Sequence, residues 1–367
     1  MIRRPPRSTP SNSSAASDVY KRQEQNIDCY VCSLDPNIQY LTADSKVGGE
    51  GFIALISKNQ KPVIYVSKLE QARIQEEVKN FDVEALREGE KPEDKIAKKI
   101  LETEGKKVCF DSLTFNQYKI LTKKLSKTKI ECKPDILLKL REIKDKNEVE
   151  LIKKATKISD KSMEVVTEFL RTGIREYEVA AEIEYVMRKM GSEGFAFKTI
   201  VASGFRSSYP HGESSDKEIL DGEVVVVDIG AKFMGYNSDI TRTFFVGKPT
   251  NTYRKIYKVV YEAQIKALEN IRTGMEGWEA DAIARKIIQK EGYGEYFIHG
   301  LGHGIGIEVH EPPRLSKKSR DKLKKMNVIT VEPGIYLPKK FGVRIEDVVL
   351  VTDKGLEVLS KSDKTVY

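Results

Sequence analysis

The chain has 367 residues, 40% apolar and 32% charged, a globular composition too long for one comfortable core and not that of a disordered chain. No run approaches the roughly 20 consecutive apolar residues of a membrane span. Half of the net charge of +8 sits in the first 23 residues, which hold five Lys/Arg against one Asp, so the rest argues for neither nucleic acid nor a membrane surface as partner.

Those first residues, MIRRPPRSTPSNSSAASDVYKRQ, carry no helical or strand period, no amphipathic transit-type helix and no apolar signal segment. They resemble translated vector sequence. Residues 1–23 are therefore set aside as a disordered tail that looks non-native, and the first helix of the domain that follows is expected to be truncated or missing.

From residue 27 to about 132, short β-rich runs (IDCYVC, GFIALIS, PVIYVS, KVCF) alternate with polar helical stretches near 67–79, 92–103 and 114–126. This predicts an α/β domain over residues 24–138. Cys29 and Cys32 form a C-x-x-C, which can be a zinc or redox pair; strand alternation instead points the two thiols to opposite faces. Four cysteines without a disulfide framework fit a reducing cytoplasm.

The stretch CKPDILLKLREIKDK marks the domain boundary, and Asp145 with Glu148 predicts a capping box opening the next helix. Residues 139–367 then form the second domain. Lysines and glutamates alternate along KNEVELIKKATK, as on a solvated helix face or a phosphate-binding stripe.

An internal echo follows. RTGIREYEVAAEI starts at Arg171 and RTGMEGWEADAIA at Arg272, each after an amphipathic helix: Val149, Ile152, Ala155, Ile158 and Val166 stripe the first, and Ile256, Val260, Ala263, Leu268 and Ile271 the second. Each echo precedes a strand pair with two acids, Asp228/Asp239 and then Glu332/Glu346. A duplicated α/β unit with pseudo-twofold symmetry would bring both acid pairs to one centre.

Singly, Asp239 could cap a turn, Asp228 could open the DIG turn, Glu332 could end a surface strand and Glu346 could pair with Arg344. Together with His303, they form an oxygen-rich ligand set suited to two divalent cations, Mn²⁺ or Co²⁺ first and Zn²⁺ as an alternative, because buried carboxylates need compensating positive charge. Two such ions activate one water for hydrolysis. The chain has only four histidines, His211, His299, His303 and His310, all beside Gly-rich segments. Glycines 300, 302, 304 and 306 alternate around His303 and either leave one face bare for backbone or substrate to come close or fill a crowded, barrel-like corner.

The motifs PHGESS, DIGAKFMGYNSDITRTF, HGLGHGIGIEVHEPPRLS and VEPGIYLPKKFGVRIED resemble those of the Xaa-Pro branch of the pita-bread metallopeptidases, over residues 140–362. Residues 27–132 are similar to that branch's creatinase-type N-terminal domain. The resemblance implies that Asp228 chelates one ion, Asp239 and Glu346 bridge both, and His303 and Glu332 complete the other. It further implies Glu332 as proton shuttle, His310 as donor to the developing oxyanion, and His211 on the substrate's carbonyl or leaving-group side.

Arg314, in HEPPRLS, matches a position where prolidase-like members hold the free carboxylate of an Xaa-Pro dipeptide, although it could be a solvated loop arginine. Arg344 is expected to support the site from behind, near Glu346, rather than to bind substrate. The implied substrate is a small peptide with proline second, a dipeptide (prolidase) before a longer peptide (aminopeptidase P), and the implied assembly is a homodimer. The complete ligand set argues against creatinase and against a non-catalytic binding protein on this scaffold, and the N-terminal domain argues against methionine aminopeptidase.

Overall fold

A computed structural model of the chain describes residues 27–49, 52–58 and 60–364; the tail assigned to residues 1–23 lies outside them. The chain divides into two units, one ending at Arg141 and the other beginning at Glu142.

The first unit is built on a six-stranded mixed sheet. Its central strand, Cys29–Cys32, pairs antiparallel with Ile53–Ser57 and parallel with Lys107–Phe110. Helices Gln71–Glu77, Pro92–Glu102 and Phe115–Lys124 occupy the stretches where they are expected. Helix Asp35–Thr42 and strands Asp82–Ala85 and Lys129–Cys132 are additions, because runs this short and polar acquire structure only by docking on the sheet. Cys29 and Cys32 are free, buried, and packed in the apolar clusters on opposite faces, so strand alternation prevails over the C-x-x-C pairing.

The second unit repeats one design. Helix Lys146–Phe169 opens on the expected box, with Asp145 accepting from Glu148 N–H at 2.8 Å and Glu148 accepting from Asp145 N–H at 2.8 Å. It leads through a turn at Gly173 (φ 88°) into helix Glu176–Lys189. Helix Asn251–Asn270 leads likewise through Gly274 (φ 93°) into Gly277–Lys290. The turns are tied in the same way: Gly173 N–H donates to Ile219 O and Gly274 N–H to Leu323 O, with isolated bridges Arg175–Glu218 and Glu276–Lys322 beside them.

Each half has its own core. The first helix pair packs on strands Ile200–Ser203, Val224–Ile229 and Ile240–Phe245, the second on a five-stranded sheet containing Val328–Val331 and Asp347–Thr352. The halves are stitched where Glu346 N–H donates to Thr241 O at 3.1 Å and Arg344 N–H donates to Thr243 Oγ1 at 3.1 Å. No helix among the described residues is long and apolar enough to cross a membrane.

Burial raises the Glu148 carboxyl to about 7, despite its hydrogen bonds to Asp145 N–H and Tyr236 Oη. Above its ordinary value of 4.5, the folded protein keeps a proton that the unfolded chain has released, so stability falls as pH rises from there to about 7 and is flat beyond. Glu148→Gln should reduce the stability lost between about pH 5 and pH 7.5 by on the order of 2 kcal/mol, read by urea unfolding at both pH values.

Candidate metal centre

The acids stand at strand ends. Asp228 lies in the Val224–Ile229 strand opposite Thr241, and Asp239 is the residue before the Ile240–Phe245 strand. In the second half, Glu332 follows the Val328–Val331 strand and Glu346 precedes the Asp347–Thr352 strand, at the end where Val331 pairs with Asp347. Strand ends are where a side chain can leave the sheet and meet groups from another sheet. His303 comes from the Gly302–Gly304 strand, whose register shifts at His303/Gly304.

Distances bring four of the five sequence-predicted ligands together. Ligand atoms of Asp239, His303 and Glu346 lie within 4.8 Å of one another. His303 Nε2 is 3.3 Å from Glu332 Oε1 and 3.7 Å from Asp239 Oδ2. Asp228 joins the group through electrostatic repulsion with Asp239, Glu332 and Glu346.

The electrostatics are those of a crowded anionic cradle. Burial, reinforced by the charges of Glu346, Asp228 and Glu332, pushes the Asp239 carboxyl well above the usual carboxylate range. Burial with Glu332 and Asp228 does the same to Glu346. Burial also raises Asp228, against the pull of Arg344. For Glu332, burial is overcome by the hydrogen bond and charge of His303, with His299 and Arg344 helping, and its carboxyl falls to about 2.

The donor set fits divalent cations. Among the described residues, Arg344 is the guanidinium bonded to a carboxylate of this group, and the buried Asp228 Oδ1 has no hydrogen-bond partner. A cation answers both the excess negative charge and the orphaned oxygen.

A polar layer stands behind the acids, of which the sequence pointed to Arg344 and His299 alone. Arg344 stands near Glu346, as expected of a supporting partner, and reaches it through another side chain. Its Nη2 donates to Asp228 Oδ2 at 2.5 Å, its Nη1 to Tyr336 Oη at 2.8 Å and Pro210 O at 3.1 Å, and its Nε to Thr241 Oγ1 at 3.0 Å. Thr241 Oγ1 in turn donates to Glu346 Oε2 at 2.7 Å, so the arginine reaches Glu346 through the threonine. The geometric reason is register: Asp228 and Thr241 are cross-strand partners, which sets both within one guanidinium's span.

Tyr336 Oη also lies 2.9 Å from His299 Nε2, whose other nitrogen lies 2.7 Å from Gly300 O. Only the scarcity of histidine pointed to His299, and nothing in the sequence pointed to Tyr336. Beneath Glu346, the fully buried Arg242 donates to the carbonyls of Thr241 and Glu346 and to Asp347 Oδ1, which fixes the backbone that carries the acid.

The glycines around His303 are explained by crowding, which settles the two readings of that motif. A Cβ at Gly302 would sit 2.1 Å from Thr330 O, at Gly304 2.2 Å from Pro312 O, and at Gly300 2.6 Å from Leu315 O. Neighbouring strands, not substrate, take the cleared space.

The remaining candidates line the approach. His310 is exposed, with its ring centroid 4.4 Å from that of His303; burial and the charges of His303, His211 and Arg314 lower its imidazole, while Glu332 works the other way. His211 is exposed and follows Pro210, whose carbonyl is held by Arg344. Arg314 is exposed, cross-strand from His303, with its backbone N–H on Asp321 Oδ2 at 2.8 Å.

The profile of metallopeptidase family M24 matches residues 150–353, and that of the creatinase/prolidase N-terminal domain matches residues 21–143. An Xaa-Pro dipeptidase of Pyrococcus furiosus is 43% identical over 341 residues, covering 93% of this chain and 95% of its own. Among solved structures, an Xaa-Pro dipeptidase from Bacillus anthracis superposes with TM-score 0.91 at 35% identity, covering 97% of this chain and 99% of that one. An X-Pro aminopeptidase from Thermotoga maritima superposes with TM-score 0.85 at 35% identity, covering 94% and 99%.

Neutralising one acid separates the cost of the cradle from its use. In chelator, Asp239→Asn should unfold a few degrees above the parent chain, because mutual repulsion is relieved. On adding Mn²⁺, the parent should gain thermal stability and the variant much less, both followed by scanning fluorimetry.

Proposed function

Because the chain belongs to metallopeptidase family M24, with a creatinase/prolidase N-terminal domain ahead of the peptidase domain, we propose that it hydrolyses the Xaa-Pro bond of small peptides, dipeptides first. The observation that carries this reading is the convergence of Asp239, His303 and Glu346 within 4.8 Å inside a domain of that family.

The family implies divalent metal ions. We assign two, which Asp228, Asp239, His303, Glu332 and Glu346 would hold; Mn²⁺ or Co²⁺ is the first choice and Zn²⁺ the alternative. Bound there, such ions supply Lewis-acid polarisation of the scissile carbonyl and a water acidic enough to attack near neutral pH.

The chain's own groups do the rest. Glu332 Oε1 and Oε2, which face His303 and His299, accept the proton from the attacking water and deliver it to the proline nitrogen as the bond breaks. His310, on the exposed side of His303, donates a hydrogen bond to the carbonyl oxygen as it gains charge. His211 holds the leaving-group side. Arg344 and Thr241 keep Asp228 and Glu346 oriented, and Arg242 holds the backbone beneath them.

An Xaa-Pro bond is a tertiary amide without an N–H, so recognition falls to the ring and to the peptide's ends. Arg314, exposed and within electrostatic range of His310, offers its planar fork to a free proline carboxylate. That supports a dipeptide. The likeness to an X-Pro aminopeptidase supports the second reading, a longer peptide with proline second.

We further place the protein in the cytoplasm, consistent with four free cysteines, and assign it a homodimer, which sedimentation would test.

After chelation, the protein should cleave Ala-Pro or Met-Pro only when Mn²⁺, Co²⁺ or Zn²⁺ is returned. No cleavage with any of the three would sink the reading. Arg314→Ala should raise KM for dipeptides by about tenfold and leave tripeptides nearly unchanged, measured by initial rates on both; equal effects would instead favour the longer peptide.

A further inference from the structure

His211 rides on a loop whose two feet are bound by one carboxylate. Strand Ile200–Ser203 lies at the edge of its sheet, so alternate N–H groups along its free side need acceptors from outside the ladder. Val201 N–H donates to Ser214 Oγ at 2.9 Å, and Ser203 N–H donates to Glu176 Oε1 at 2.7 Å. The chain leaves the strand at Ser203, carries His211 outward and returns at Ser215, whose N–H donates to Glu176 Oε2 at 3.0 Å. Each foot adds its hydroxyl to the same oxygen, Ser203 Oγ to Oε1 at 2.8 Å and Ser215 Oγ to Oε2 at 2.6 Å. Glu176 is fully buried, and Arg206 Nε, from within the loop, donates to its Oε2 at 3.0 Å and so answers its charge.

The loop has other ties. Ser207 Oγ accepts from Gly342 N–H at 3.0 Å and Pro210 O from Arg344 Nη1 at 3.1 Å, both on the part of the loop that leads to His211. At the feet, Lys217 reaches both hydroxyls, its Nζ donating to Ser203 Oγ at 2.9 Å and its N–H to Ser215 Oγ at 3.2 Å. What these ties leave over are the two N–H groups of the feet, and Glu176 is the acceptor of both.

The duplicated half repeats the docking by other means. Where Glu176 N–H donates to Lys217 O and Tyr177 N–H to Ser215 O, the second half has Gly277 N–H donating to Asp321 O and Trp278 N–H to Ser319 O. The helix after the turn begins with Glu176 in one half and with Gly277 in the other. A Cβ at Gly277 would sit 2.0 Å from Arg314 O, so there the backbone at Arg314 comes up against the helix start directly. Matching helix starts thus hold the chain that carries His211 and the chain that carries Arg314, both on the approach to the centre.

We propose that Glu176 is a positioning residue for His211, which closes the feet of the loop and acts on the reaction through that histidine. The proposal rests on the reading of His211 as the group on the leaving-group side. Without the carboxylate, the Ser203 and Ser215 N–H groups and Arg206 Nε lose their acceptor together, which is costly for buried donors. Water can replace it at half-buried Ser215, but the span between the feet is then no longer set by one rigid group.

Two variants test this. Glu176→Gln keeps one oxygen and turns an NH2 toward the donors of the other foot, whereas Ser215→Ala removes one hydroxyl and leaves the carboxylate in place. With only four histidines, each imidazole Cε1–H resonance can be assigned by single substitution and followed in chelated protein. In Glu176→Gln, the His211 resonance should shift or broaden while that of His299 stays, and the Ser203 and Ser215 amides should exchange faster. With Mn²⁺ returned, kcat/KM for Ala-Pro should fall by about tenfold. Ser215→Ala should show the same changes to a lesser degree, and it carries the test if Glu176→Gln does not fold.

His211→Ala separates positioning from a general loss of structure. Effects that act through one residue do not add, so Glu176→Gln should cost nothing further in the residual kcat/KM of His211→Ala. A loss there as large as in the parent background, or a His211 resonance unmoved in both single variants, would overturn the proposal. Should the parent chain cleave no Xaa-Pro peptide, the functional reading falls, while the resonance and the amide exchange still decide whether Glu176 positions His211.

Discussion

Four carboxyl groups, Asp228, Asp239, Glu332 and Glu346, share one space, and the rest of the peptidase unit is arranged to keep them there. Burial first, and then the like charges around them, hold Asp239 and Glu346 far above their ordinary range, while Glu332 escapes through His303. Arg344 offsets part of the charge, and the orphaned oxygen of Asp228 shows that the protein alone does not satisfy the site. The unit therefore maintains a local instability that divalent ions relieve. Its two cores, each a helix pair on a sheet, supply the rigidity that stops the acids from moving apart.

Duplication solves the assembly problem. Each half brings one strand pair with acids at matching ends, and each half enters its second helix through the same glycine turn tied to the same kind of bridge. The two acid pairs meet because the halves are joined at Thr241, Thr243, Arg344 and Glu346, beside the acids themselves. Fold junction and chemical centre are thus the same place, and Arg242 beneath it serves both.

The approach to the centre is built differently. His211, His310 and Arg314 are exposed and lie on turns and a strand edge. The placement of His211 and Arg314 depends on anchors set deeper: Glu176 at the feet of the His211 loop, Arg344 on the carbonyl before His211, and Asp321 on the Arg314 backbone.

Much of this was legible in the chain itself. Period-two and period-3.6 patterns located the principal elements of both units, the Asp145/Glu148 box, and the Arg171 and Arg272 echo, because these features depend on residues close in sequence. The acids and His303 could be singled out because strand-end carboxylates in a repeated pattern have few other uses. The tertiary structure alone decided what depends on distant partners: that Arg344 binds Asp228 and reaches Glu346 through Thr241, that Tyr336 and His299 stand behind the acids, that the glycines near His303 yield to neighbouring strands, and that Glu176 binds both Ser203 and Ser215. The physical reason is range: local propensity is set within a few residues, whereas a buried polar group takes whichever partner the packing of the whole unit brings within hydrogen-bond reach.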